Sequence, residues 1–250
     1  MKIEAVVVCY NYSDFLEHTL PENIELLDRL VVVTHPDDKR TGKLCDKYSV
    51  DCIKTDIFHD DGDRFNKGRA INLGLSHLRH DDWVLHMDAD ILLPHRFRRC
   101  LDAAKLDKKN IYGCDRLNSV SFENWEKNKH KICPQHAWRF LVTPQSEFPL
   151  GSRIVHKEYG WVPLGFFQLF HSSQRRTYPI IAGNAEHSDV LFSVQWPRER
   201  RVLLPEFYTY HLESGGSKFG DNWSGRKTAP FGKNLNLEDF VVPLSNEKKN

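Results

Sequence analysis

Residues 3–9, IEAVVVC, form a near-continuous apolar run. Side chains alternate between the two faces of a strand, so a run with no polar alternation must be buried on both sides. That is the situation of a parallel strand covered by helices above and below. The strand signal returns at Leu30–Thr34, at Asp51–Thr55 and in the stretch from Trp83 that ends at Asp88. Between these runs lie helical patterns. Ser13 can cap a helix through about Leu20, ahead of Pro21, and residues 43–49 form a short helix. Asn66–Leu78 puts Ala70, Ile71, Leu73, Leu75 and Leu78 at helical spacing. Strands alternating with helices predict an α/β fold, a parallel sheet with right-handed crossovers. Ligands of such sheets sit beyond the carboxyl ends of the strands.

The chain has 250 residues, 40% of them apolar, enough for a sizeable core in one domain or in one domain with an appendage. A net charge of +1 argues against a strongly basic nucleic-acid binder. No apolar run approaches the ~20 residues of a spanning helix, and the start is too short in apolar residues for a signal peptide. The six cysteines show neither a CxxC pair nor a zinc spacing, and Cys9 reads as a buried small hydrophobe. A reducing, cytoplasmic location is expected.

Residues 81–94, DDWVLHMDADILLP, carry the strongest chemical signal. Asp88 and Asp90 stand two apart at the end of a strand, so extended geometry points both carboxylates into one region. They repel unless a cation or proton neutralises them. A hard divalent ion such as Mg²⁺ or Mn²⁺ is the natural partner, and it commonly also holds substrate phosphates. The alternative is a solvated turn in which an aspartate caps the next element.

The second half reads differently. From 110 to 180 the spacing is irregular, with Trp125, Trp138, Trp161, Phe166, Phe167 and Phe170 building either a cleft wall or a loop-rich core. Gly165-Phe166-Phe167-Gln168 borders an acceptor or simply packs. Glu186-His187-Ser188-Asp189 leads into a helix, and Val202–Tyr210 reads as a late strand ending at His211. Residues 214–234, rich in Gly, Ser, Asn and Lys, form a lid or a frayed tail. The expected organisation is an α/β half over 1–109, an acceptor-side half and lid of the same domain over 110–234, and a tail over 235–250 whose last residues are disordered.

Together VVVCYNY, NKGRAINLG at 66–74, Met87-Asp88-Ala89-Asp90, and then EHSD, YHLES and NWSGR resemble the GT-A glycosyltransferases, in particular the inverting family 2-like enzymes. The resemblance spans most of residues 1–230. It implies a Rossmann-like, mostly parallel sheet flanked by helices, with a loop-rich acceptor-side C-terminal half. It also implies an enzyme that moves a sugar from a nucleoside-diphosphate sugar, expected to be a UDP-sugar, onto an acceptor hydroxyl with inversion.

By that resemblance Asp90 ligates Mn²⁺ or Mg²⁺, Asp88 binds the ion or the ribose, and His211 supplies a third ligand, unless it is a packed histidine at a strand end. Asp189 is the base, with His187 the alternative on a different alignment and a helix cap the structural one; Glu186 orients the acceptor. Tyr10, Asn11 and Asp37 (or Asp38) lie near the nucleobase or ribose. Lys67 and Arg69 face the phosphates or are solvated. Arg226 and Lys227, on the lid, clamp the diphosphate once Trp223 covers the donor, or form a solvated basic tail.

A saccharide is the default acceptor. Basic clusters HRFRR (95–99), KNKHK (127–131) and RERR (198–201) would suit a hydroxymethylated DNA base of the kind some phage glycosyltransferases modify. A nucleotidyltransferase and a non-catalytic sugar-nucleotide-binding module are the alternatives from other classes.

Overall fold

The computed structural model describes residues 1–131, 148–151, 153, 155–181, 185, 187–214, 222 and 224–240. Strand β1 (Ile3–Val8) is buried along its whole length, as its unbroken apolar run requires. It pairs in parallel with β2 (Arg29–Thr34) on one side and β4 (Trp83–Asp88) on the other, and β3 (Asp51–Lys54) adds in parallel beyond β2. Val8 stands beside Asp88 in this register, so the loop after β1 and the acidic end of β4 open on one edge of the sheet.

Alternate residues of β1 enter different apolar layers. Ile3, Ala5 and Val7 pack with Leu16 and Leu20 of α1 (Ser13–Ile24), while Val6 and Val8 pack with Ala70, Ile71 and Leu75 of α3 (Lys67–Ser76). Each Val, Leu or Ile among them contributes about 1.5–3 kcal/mol when fully buried. Gly74 lets α3 lie close on the sheet: a Cβ there would stand 2.5 Å from Val6 Cγ1 and 2.9 Å from Val33 Cγ2. The remaining crossover helix of this half is α2 (Lys39–Tyr48).

Strands from the second half continue the same sheet. β9 (Phe167–His171) runs antiparallel to both β4 and β6 (Ile111–Ser119). β10 (Arg201–Leu212) lies parallel to β6, and the two-residue β5 (Ile91–Leu92) pairs antiparallel with β10. The eight-stranded order is β3-β2-β1-β4-β9-β6-β10-β5. A separate hairpin joins β7 (Val155–His156) to β8 (Gly160–Trp161). Helices α4 (Phe97–Ala103), α5 (Phe122–Asn128) and α6 (Ser188–Ser193) complete the described elements that matter below.

Several boundaries differ from the sequence expectation. α1 does not stop before Pro21 but runs through it to Ile24. Its later residues are tied to the acidic segment: Thr19 Oγ1 donates to the Ala89 carbonyl at 2.7 Å, and Asn23 Nδ2 to that of Ile91 at 2.8 Å. α2 starts four residues earlier than expected because Asp38 caps it, accepting from the Thr41 N–H at 3.0 Å. The stretch 110–180, read as irregular, contains β6 and β9. Phe167 and Leu169 enter one core layer and Phe170 the other, so packing accounts for these aromatics. Among the described residues no helix is long and apolar enough to cross a membrane, and the five described cysteines are free. The last residues of the expected tail, Trp138 and part of the lid (215–221 and 223) lie outside the described residues.

Candidate active site

The turn carrying the two aspartates is held by two elements. Besides the Thr19 and Asn23 bonds, the Leu93 N–H donates to Asn23 Oδ1 at 2.8 Å, and the Leu212 N–H donates to the Asp90 carbonyl at 2.9 Å. The backbone between β4 and β5 is thus fixed by α1 and β10, leaving the two carboxylates to find partners through their side chains.

They find different ones. Asp88 accepts a charge-assisted hydrogen bond from Lys67 Nζ at the start of α3. Burial pushes the Asp88 carboxyl up, but the Lys67 ammonium outweighs it and holds the group below the usual carboxylate range. Asp90 Oδ2 lies 3.4 Å from His211 Nε2, whose Nδ1 is 2.9 Å from Glu213 Oε1. Burial disfavours a charged imidazole there, yet the Asp90 charge and the bonds to Asp90 and Glu213 prevail, lifting His211 to about 9. The other oxygen, Asp90 Oδ1, is buried without a partner among the described residues. Two carboxylates are the hard oxygen donors that suit Mg²⁺ or Mn²⁺, the imidazole adds a softer nitrogen donor, and the unpartnered Oδ1 has a lone pair to offer. The expected three-ligand set is nevertheless not drawn together: among the described residues no three such side chains form one cation site. Asp88 and Asp90 repel, and each takes its own internal cation.

Asp189 sits in the first turn of α6, two residues past the left-handed His187 (φ 62°) that precedes the helix. It is therefore not the helix cap. Its Oδ2 accepts from the Gly165 N–H at 2.7 Å and its Oδ1 from the Val190 N–H at 2.8 Å, which fixes the carboxylate plane. Beneath it runs a buried polar network. Gln168 Nε2 reaches the Asp189 carbonyl at 3.0 Å and Ser193 Oγ at 2.8 Å, and Tyr178 donates to Gln168 Oε1 at 2.5 Å. His86 Nδ1 lies 3.0 Å from the same tyrosine oxygen, and burial with the nearby Lys67 charge pushes that imidazole down to about 4. The field of Asp189 reaches Lys67, so the candidate base and the Asp88 pair share one neighbourhood.

On the other side of Asp88, Tyr10 is half-buried and stacks on His35 at 4.9 Å, with Phe58 at 5.3 Å behind it. Asp37 is 44% exposed beside His35. These groups present an aromatic and acidic rim to the sheet edge. Asn11 is buried in a left-handed turn (φ 59°), its N–H donating to Asp38 Oδ2 at 2.7 Å. Asp38 also takes Thr41 Oγ1 at 2.7 Å, so it is a buried cap rather than a ligand contact.

The family model described as glycosyl transferase family 2 matches residues 4–171, which hold β1, the acidic turn and the strands between them. The chain belongs to glycosyl transferase family 2. It is accordingly a glycosyltransferase, which leaves neither a nucleotidyltransferase nor a non-catalytic module as its class. Among solved structures it is similar to mannosyl-3-phosphoglycerate synthase from Rubrobacter xylanophilus. That likeness has a TM-score of 0.52 at 16% identity, covering 88% of this chain and 69% of the other. It is also similar to glucosyl-3-phosphoglycerate synthase from Mycobacterium tuberculosis in complex with Mn²⁺, UDP and glucosyl-3-phosphoglycerate, with a TM-score of 0.47 at 13% identity over 84% and 71% of the two chains. At such identities the first likeness speaks to the fold, which is the GT-A α/β fold. No curated protein sequence matches the chain.

Within this family 2 chain two expected phosphate contacts are otherwise engaged. Arg226 is buried and spends every donor internally, on both oxygens of Asp14 at 2.6 and 2.7 Å and on the carbonyls of Asn11, Thr228 and Ala229. It ties the C-terminal segment to the loop after β1 and has no hydrogen left for a diphosphate. Arg69 pairs with Asp61 and, at 3.6 Å, with Asp60. Glu186 and Trp223 lie outside the described residues. One member of each basic cluster expected for DNA is paired with a carboxylate: Arg98 with Asp28, Lys129 with Glu126, and Arg200 with Asp107. Sequence reasoning missed Glu213 and the Tyr178–Gln168 network. Glu213 stood in YHLES two residues from His211, a spacing that puts both on one strand face. Nothing in the sequence joins Tyr178 to Gln168.

Proposed function

We propose that the chain transfers a sugar from a nucleoside-diphosphate sugar, with UDP as the nucleotide, to an acceptor hydroxyl of a saccharide, with inversion and with a divalent cation. The observation that carries this reading is the acidic end of β4, where Asp90 keeps a buried oxygen free beside His211 and Asp88 already holds a cationic group. Asp90 and His211, with Asp88, are the residues that would hold Mn²⁺ or Mg²⁺. A bound cation there supplies Lewis-acid neutralisation of the charge that grows on the departing diphosphate.

The chain's own groups do the rest. Lys67 stands beside Asp88 and can carry its charge to a phosphate oxygen. Tyr10 offers a ring face, and Asp37 an exposed carboxylate, to the nucleobase and ribose. Asp189, oriented by two backbone N–H groups, takes the acceptor proton as attack begins. A carboxylate facing the acceptor is what in-line displacement with inversion needs.

A panel of sugar nucleotides, assayed with and without Mn²⁺ for release of nucleoside diphosphate and for the anomeric configuration of the product, tests the reading. Turnover with at least one UDP-sugar and an inverted product is expected. Turnover undiminished by chelation, or a product of retained configuration, would overturn the corresponding part.

A further inference from the structure

Asp189 rides on a helix too short to hold its own direction. α6 has six residues, well below the ~12 at which a helix is stable alone in water. The aim of the carboxylate is therefore set by what α6 packs on. Phe192 stacks on the Tyr178 ring at 3.8 Å and docks the helix in the apolar layer around Val84 and Phe170. Gln168, fully buried on β9, supplies a polar anchor. Its Nε2 lies 3.0 Å from the Asp189 carbonyl, in the first turn of α6, and 2.8 Å from Ser193 Oγ, at the last residue. The same nitrogen is 3.0 Å from the Pro163 carbonyl, which also accepts from Ser193 Oγ at 2.6 Å. Pro163 begins the short loop whose Gly165 N–H holds Asp189 Oδ2. One amide thus ties both ends of the helix to the loop that orients its carboxylate.

The amide has one stable orientation. Turned over, Gln168 Oε1 would face two carbonyl oxygens and every bond to α6 and the loop would be lost. As placed, Oε1 accepts from the Tyr178 O–H at 2.5 Å, and the Tyr178 oxygen, its hydrogen spent, accepts from His86 Nδ1 at 3.0 Å. The chain of bonds therefore begins on β4, two residues before Asp88. Gly165 completes the arrangement. A Cβ there would stand 3.0 Å from Asp189 Cβ and 3.1 Å from its Oδ2, close enough to push the carboxylate aside. Gly165 is not among the glycines of positive φ, so the 2.7 Å approach to Asp189, and not a special backbone conformation, is what a side chain would disturb. We propose that Gln168 and Gly165 are positioning residues for the base. Gln168 clamps α6 to the loop beginning at Pro163, and Gly165 admits the Asp189 carboxylate to that loop's N–H, leaving each oxygen a second lone pair for the acceptor proton. This rests on the reading of Asp189 as the base.

A double-mutant cycle on the full chain tests it, read as hydrolysis, with Mn²⁺, of the UDP-sugar that the wild type turns over fastest. Gly165→Ala and Gln168→Leu should each lower kcat about tenfold or more, since a misplaced catalytic group costs up to about 100-fold, while KM for the UDP-sugar stays unchanged. Residues that act only through the Asp189 carboxylate have nothing left to act on in Asp189→Asn. In that background neither substitution should lower kcat by more than about twofold further. An unchanged kcat in the single variants, or losses that multiply with that of Asp189→Asn, would overturn the proposal. Should Gln168→Leu fail to fold, as its melting curve would reveal, Gly165→Ala alone decides. Hydrogen exchange of the backbone amide at position 165, followed by NMR, gives a readout that needs no turnover. It should be about tenfold faster in either variant, with the amides of β4 still protected. If the wild type turns over no UDP-sugar, the glycosyl-transfer reading falls by itself and the exchange rate decides whether the clamp exists. An exchange rate equal to that of the wild type sinks the clamp whatever the activity.

Discussion

Two of the cation–carboxylate pairs near the carboxyl edge of the sheet, Arg226–Asp14 and Lys67–Asp88, are built for opposite ends. Arg226 and Asp14 are 1% and 2% exposed, and every guanidinium hydrogen has an acceptor. Lys67 and Asp88 are 21% and 30% exposed and share a single contact, from the ammonium to one oxygen of the carboxylate. Saturation, not charge, distinguishes them. A pair whose donors are all consumed cannot receive a ligand without being dismantled, whereas a pair with capacity left over can exchange one partner for another.

Removing one member of the saturated pair should give the largest effect. Arg226→Met leaves Asp14 buried with only the Phe231 N–H, at 2.7 Å, to stabilise its charge. Breaking such a pair costs about 3–5 kcal/mol, which for a chain of this size lowers the melting temperature by roughly 10 °C. Thermal unfolding followed by circular dichroism measures it. A change of only a degree or two, together with lost UDP binding, would instead make Arg226 the phosphate clamp its place in the sequence suggested.

Asp90 belongs to the unsaturated side. Asp90→Asn keeps size and packing but removes the charge, so donor turnover should fall about 100- to 1,000-fold while the melting temperature stays nearly unchanged. Steady-state rates and melting curves on one preparation separate the two. A large drop in stability with turnover retained would assign Asp90 to the scaffold alongside Asp14.

That division was only partly visible in the sequence. The apolar runs at β1, β2 and β4 and the helical spacing of α3 each depend on neighbours in the chain, and those elements were legible. The position of Asp88 and Asp90 at a strand end followed from the same local pattern. The role of Arg226 did not, because its partner Asp14 is 212 residues away and a basic residue in a Gly- and Ser-rich stretch looks solvated. Strand β9 was equally hidden. It enters the sheet antiparallel between β4 and β6, and its five residues are set by pairing partners far away in sequence. Asp189 could be picked out by type, but the two amides that orient it come from a loop and its own helix only once α6 has docked.

A pH series sharpens the comparison further. His211 is raised to about 9 in the folded chain against an ordinary value near 6.5. Its protonated form therefore stabilises the metal-free protein fully below pH 6.5, and that contribution disappears as pH rises through about 9. A proton on Nε2 also excludes a cation, so Mn²⁺ affinity should increase about tenfold per pH unit until about pH 9. Titration calorimetry between pH 7 and 9, beside melting curves over the same range, should show affinity rising while metal-free stability declines. Two quantities that move together would remove His211 from the ligand set.

The smallest effect should come from Lys67, and its smallness is informative. Lys67→Met removes the ammonium from Asp88, but a carboxylate with 30% of its surface in water can be hydrated instead. The stability loss should be about 1 kcal/mol or less, several times below that of Arg226→Met. The consequences for ligands should split. Without a competing ammonium, Asp88 is freer to join Asp90, so Mn²⁺ should bind several-fold more tightly to the free protein. UDP, deprived of a phosphate contact, should bind more weakly. Paired titrations of Mn²⁺ alone and of UDP with saturating Mn²⁺ test for that opposition. If both affinities fell along with a loss of several kcal/mol, Lys67 and Asp88 would be a second structural clamp and the distinction between the two pairs would fail. If the opposition holds, the lysine occupies its carboxylate only until a ligand arrives, which is what capacity left over in an ion pair is for.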